Sequence, residues 1–209
     1  MTNEHPVKLK IFAAITALFS EGGVEKVTMA NIGALCGLHK SSLVYYFQTK
    51  EEMLRAYYQY YLEEHDKAFF QDIEAFYESR DKTPESFCAL IDLITTQSRD
   101  TPSLSDIASV DILYLATKDD ALAHILDDKF NRMEAFFRTL FARYLPIGFL
   151  DERRFEDCCS DFLFTLGSIL YLTLYSIRLR GHEEAILRNL AEVKGRFLKD
   201  GLYNALTGQ

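Results

Sequence analysis

A chain of 209 residues with 48% hydrophobic residues, 16 Phe, 12 Tyr and no Trp can bury a substantial core. Its net charge of -8 argues against a general nucleic-acid coat protein. The four cysteines, Cys36, Cys88, Cys158 and Cys159, match no zinc or redox spacing and read as free buried thiols of a cytoplasmic protein.

The charge is unevenly placed. Residues 1–55 hold six Lys/Arg against five acids, so the remaining 154 residues hold the other 17 against 26. A near-neutral front on an acidic remainder would confine contact with phosphates to one end. The opening MTNEHPVKLKIF is polar and does not read as a signal peptide. The most apolar run, Phe162 to Ile177, contains Thr165, Ser168, Thr173 and Ser176 and is short for a bilayer, so no membrane span is expected.

Apolar residues recur at threes and fours through long segments, only four prolines and ten glycines interrupt them, and strand-like alternation is scarce. The expected fold is all-α, with about nine helices. The first helix covers 7–21, with Ile11, Ala14, Ile15, Leu18 and Phe19 inward and Gly22-Gly23 as its stop. Thr28 is a good N-cap for a second helix over Met29–Cys36, with Ile32 and Leu35 inward. Gly37 ends it in a left-handed turn. A third helix runs from Lys40 to Phe47, anchored by Leu43 and Phe47. Thr49 caps a long fourth helix with Glu51-Glu52 in its first turn, continuing to about Ser79, roughly 43 Å at 1.5 Å per residue. Pro84 starts a helix to Gln97. A shorter one ends near Ala116, and another runs from Asp119 to Tyr144, stopped by Pro146. The last two cover 151–179 and 183–206, separated by Arg180-Gly181-His182.

Two short helices joined by a glycine turn are either a DNA-reading helix-turn-helix or an ordinary helical corner. The order of residues around them distinguishes the two: AA and LF in the preceding helix, Gly22, Thr28, Gly37, Lys40, then LVYYF and TKEEML. In that combination residues 8–55 resemble the N-terminal domain of the TetR family of transcriptional regulators. The resemblance implies a DNA-binding domain over 1–49, and an effector-binding and dimerisation domain over 50–209. It places Thr28 at a phosphate, Lys40 at the start of the recognition helix, Tyr45 and Tyr46 at its far end, and Lys50 as a phosphate clamp. His39 stands where Ser or Thr is usual, Ser41 where Gly or Ala is common, and Val44 where the first Tyr of the aromatic run usually falls. The base-facing set is then His39, Lys40, Ser41, Ser42 and Tyr45. His39 fits a solvated cap equally well, Tyr46 a core aromatic, and Val44 either the core or a thymine methyl.

The resemblance also implies a homodimer on an inverted-repeat operator, because one short helix makes too few contacts for tight reading. The segments holding Phe155, Phe162, Leu166, Ile169 and Thr173, and Leu190, Val193 and Phe197, look like the dimer helices, although closure of the monomer core would give the same periodicity. Gly167-Ser168 would allow close helix contact. An effector cavity is implied in the aromatic-rich middle of the chain, with Tyr61, Tyr114 and Phe137 as candidate lining for an apolar or aromatic small molecule of unknown identity.

No cofactor or metal is expected. The five histidines are scattered, and neither HExxH nor a nucleophile-elbow context is present, so catalysis is not expected. The alternatives to a ligand-released repressor are an activator of the same fold and an all-helical protein-interaction adaptor.

Overall fold

The computed structural model describes residues 6–97, 112–175 and 183–208. Its helices are α1 (Pro6–Gly22), α2 (Met29–Cys36), α3 (Lys40–Tyr46), α4 (Lys50–Glu78), α5 (Pro84–Gln97), α6 (Asp120–Ala142), α7 (Phe155–Tyr175), α8 (Glu183–Phe197) and α9 (Leu202–Thr207), and residues 112–116 are also helical. No strand occurs among the described residues; the one β-bridge is an isolated antiparallel pair, Leu150 with Leu198. The fold is all-α, as the periodicity requires. No described helix is long and apolar enough to cross a membrane.

The described residues fall into two compact units, those of Met1–His65 with Ser103–Asp127 and those of Asp66–Pro102 with Asp128–Gln209. The division therefore lies inside α4, whereas the sequence suggested a boundary at residue 49. Met53, Leu54, Tyr57, Tyr58 and Leu62 on the first half of α4 are buried in the same core as Ile11, Phe12, Ile15, Leu18 and Phe19 of α1, which draws that half into the first unit. Ile32, Cys36 and Leu43 complete this core from α2 and α3, joined by Ile112, Leu122 and Leu126. Leu35, expected to face inward, is 52% exposed. Three residues beyond Ile32 it has turned past the edge of the narrow face that an eight-residue helix buries.

The second unit is built on stacked and edge-on aromatic rings. Phe87, Phe137, Phe141, Tyr144, Phe162 and Phe197 are essentially inaccessible, and Phe141 meets Phe87, Phe162 and Phe197 at centroid distances of 5.2 to 5.4 Å. Phe155, Phe162, Leu166, Leu190, Val193 and Phe197 are buried within the chain itself, so their apolar area is already removed from water and cannot be buried again against a second copy. The side chains of Ile169 and Thr173, as well as Arg180-Gly181-His182, lie outside the described residues.

Helix ends differ from the sequence reading where backbone hydrogen bonds find other partners. α6 stops at Ala142, and Pro146 sits inside a 3₁₀ turn, Leu145–Ile147, rather than simply ending the helix. α7 begins at Phe155, four residues later than expected. The chain before it pairs with the end of α8: Asp151 N–H donates to the Phe197 carbonyl and Lys199 N–H to that of Phe149, both at 2.9 Å. The buried Asp151 carboxylate accepts from the Arg153 N–H at 3.0 Å and lies 2.9 Å from Arg154 Nε, and the Arg153 bonds hold it below the usual carboxylate range. The same pairing breaks the final helix in two, with Gly201 at φ 78° restarting the chain as α9.

Candidate nucleic-acid interface

Thr28 is in extended conformation, and its hydroxyl accepts the Asn31 N–H at 3.1 Å, the bond that starts α2. Asn31 in turn donates its Nδ2 to the Lys26 carbonyl at 2.8 Å, tying the first turn of α2 to the 3₁₀ turn Val24–Lys26. Gly37 closes α2 at φ 62°.

The α2–α3 corner depends on a second glycine that the sequence reading passed over. The Leu38 N–H donates to the Gly33 carbonyl at 2.9 Å, and a Cβ on Gly33 would lie 2.8 Å from the Leu38 carbonyl oxygen. A glycine inside an eight-residue helix costs about 1 kcal/mol relative to alanine, and that cost was the available signal of a close approach.

His39 occupies the N-cap position of α3. Its carbonyl accepts the N–H groups of Ser42 and Leu43, its imidazole makes no capping bond, and the side chain is exposed. Along α3, Lys40, Ser41, Val44 and Tyr45 are exposed, Ser42 and Tyr46 are half-buried, and Leu43 is buried. Tyr45 is 84% exposed, and its ring meets that of Tyr46 edge-on at 5.2 Å, while Tyr46 packs partly against the first core. Val44 does not pack inward; it is 41% exposed on the outer face.

After α3, Thr49 accepts the Glu52 N–H at 3.0 Å, and the Glu52 carboxylate accepts the Gln48 N–H at 2.8 Å. This reciprocal cap fixes the start of α4. Lys50, the first residue of α4, directs its ammonium to the Val24 carbonyl at 3.5 Å. Thr28, Lys40 and Lys50 are thus held at the ends of three helices that share one core.

The proposed effector residues lie in different settings. Tyr61 is half-buried in the first unit, stacked on Tyr57 at 5.6 Å. Tyr114, also in that unit, is exposed, and its hydroxyl accepts from Lys118 Nζ at 2.6 Å. Phe137 is at the centre of the second unit's aromatic core. Among the described residues no group of three or more His, Cys, Asp or Glu side chains is arranged to hold a metal ion.

A capped helix, a glycine corner and a short second helix with an outward polar and aromatic stripe define a helix-turn-helix DNA-binding head. Residues 11–57 match the sequence profile of the bacterial regulatory proteins of the TetR family. No curated protein sequence matches the chain. Among solved structures, it is similar to a TetR transcription regulator from Haloarcula marismortui at 17% identity and a TM-score of 0.73, over 93% of this chain and 99% of that one. It is similar to a transcriptional regulator from Saccharomonospora viridis in complex with choline, at 13% identity and a TM-score of 0.71, over 93% and 98%. It is also similar to the triclosan complex of SmeT at 18% identity and a TM-score of 0.69, over 94% of each chain. SmeT is the repressor of the Stenotrophomonas maltophilia multidrug efflux pump SmeDEF. Residues 11–57 therefore carry the DNA-binding head of the TetR family, and the chain as a whole shares the helical fold of the regulators it resembles.

Proposed function

We propose that this chain is a transcriptional repressor that binds an inverted-repeat operator as a homodimer and is released by a small apolar or aromatic effector. The observation that carries the reading is the stripe on α3, where Lys40, Ser41, Val44 and Tyr45 face outward from a helix whose other side is locked into the core by Leu43. Thr28, Lys50 and Tyr46 then contact the sugar-phosphate backbone and set the register, while His39, Lys40, Ser41, Ser42 and Tyr45 meet base edges.

One seven-residue helix supports only a few such contacts, so tight reading needs two heads, about 34–36 Å apart in successive major grooves. The outer face of α7 offers a surface for the second copy. Phe164 is 80% exposed there, with Ser160 and Gly167 beside it on the same side, and Leu187 is exposed on α8. An exposed aromatic side chain flanked by small residues suits close helix packing across a dyad.

For release, an effector must bind better to a head spacing that does not fit the operator than to one that does. The aromatic composition of the body favours an apolar or aromatic ligand. The triclosan and choline complexes of two proteins of similar fold support the existence of a small-molecule ligand, and the triclosan complex an aromatic one, without naming it. We read the protein as a cytoplasmic binding protein with no catalytic role.

Selection from a random duplex library, followed by salt titration and mass measurement of the selected complex, tests this. The expected result is a palindromic consensus bound by two chains, with affinity falling steeply as salt rises. No selected duplex at low salt would overturn the reading. Selection of a non-palindromic site by a single chain would overturn the dimer.

A further inference from the structure

On the operator reading above, the outward face of α3 has an apolar centre. At about 100° per residue, Lys40, Val44, Ser41 and Tyr45 cover one arc of the helix, with Ser41 and Val44 nearest its middle. Lys40, Ser41 and Tyr45 each carry a hydrogen-bonding group, and Val44 carries none. Its exposure is not a packing accident at a frayed end, because Leu43 and Phe47 on either side of it are buried.

We infer that Val44 is a specificity-determining residue that reads the C5-methyl group of a thymine in each operator half-site. The major groove presents donors and acceptors from every base, but thymine alone among the four standard bases adds an apolar group. A valine in a helix has one strongly preferred side-chain rotamer, so its methyls are already fixed before binding and lose little freedom on contact. Facing an N–H or carbonyl, the same side chain would strip water from a polar group without replacing its hydrogen bond. The position therefore favours thymine by attraction and disfavours the other bases by desolvation.

The test uses the full chain and the duplex it selects, with each thymine of a half-site replaced in turn by deoxyuridine, which removes only the methyl. Wild type should lose about fourfold in affinity at one position, the value of one buried methyl, and on the order of tenfold when both half-sites are changed. In Val44→Ala that position should become insensitive, with the other positions unchanged; the variant keeps a good helix former at an exposed site and its helicity is checked by circular dichroism. A scan that is flat in wild type, or identical in wild type and Val44→Ala, overturns the assignment while leaving the operator reading intact. Failure to select any duplex overturns both.

Discussion

Tyr57 of α4 donates its phenol hydrogen to Thr16 Oγ1 of α1 at 3.1 Å; the direction follows because the Thr16 hydroxyl spends its own hydrogen on the Phe12 carbonyl. Tyr57 also stacks on Phe19 at 5.8 Å and meets Phe12 edge-on. One side chain thus joins the first helix of the head to the helix that continues out of it.

Tyr57→Phe keeps the ring packing and removes this bond, so unfolding in urea should show a loss of about 1 kcal/mol. Burial pushes the Tyr57 phenol up to about 12, so its neutral form is favoured in the folded state. The corresponding stability is present in full below pH 10 and is lost as pH rises towards 12. The decline of stability between pH 10 and 12 should therefore be shallower in Tyr57→Phe than in wild type, and equal slopes would refute the account.

Gly33→Ala adds a methyl 2.8 Å from the Leu38 backbone oxygen, where no flexible side chain can yield. Despite alanine's better helix propensity, we expect a loss of about 1–3 kcal/mol and weaker DNA binding, since the α2–α3 corner must open. Gly37→Ala meets no neighbour within 4 Å but must hold φ 62°, so it should cost about 1–2 kcal/mol. If the corner governs α3, Gly33→Ala loses more affinity per unit of lost stability than Gly37→Ala.

In the second unit, buried Asp66 of α4 is paired with Lys129 at 3.0 Å and Arg132 at 3.3 Å, both on α6. Lys129 is itself largely buried, whereas Arg132 is well exposed. Lys129→Met should destabilise by about 3 kcal/mol because it strips a buried carboxylate of its closest cation. The double variant Asp66→Leu/Lys129→Met should recover most of that loss. A double variant no more stable than the single one would show that the carboxylate's burial is not the cause.

Lys50→Ala should weaken binding to all duplexes by a similar factor and lower the slope of log affinity against log salt by about one, as expected for one lost phosphate contact. Loss confined to one base pair would show instead that Lys50 reads bases. An unchanged slope with reduced thermal stability would assign the side chain to its bond with the Val24 carbonyl.

Most of the head was legible in the sequence because local rules govern it. The Thr28 cap, the Met29–Cys36 helix, the left-handed Gly37 and the Thr49 cap each depend on residues within four positions of one another. Leu35 escaped that logic, since periodicity marks an apolar residue without saying how wide a face its helix buries. Gly33 escaped it too, because the atom it must avoid belongs to the next turn of the chain.

The all-α class, the helix-turn-helix head and most helix starts were legible in the sequence, all short-range consequences of caps, glycines and apolar spacing. Tertiary structure decided which apolar faces are consumed inside the chain. Phe162, Leu166, Val193 and Phe197 fit a partner helix or a private core equally well by spacing, and only the packing around Phe141 and Phe87 assigned them to the core. It also decided that Val44 faces out, because burial depends on which helices cover a residue, and that is a property of the assembled core.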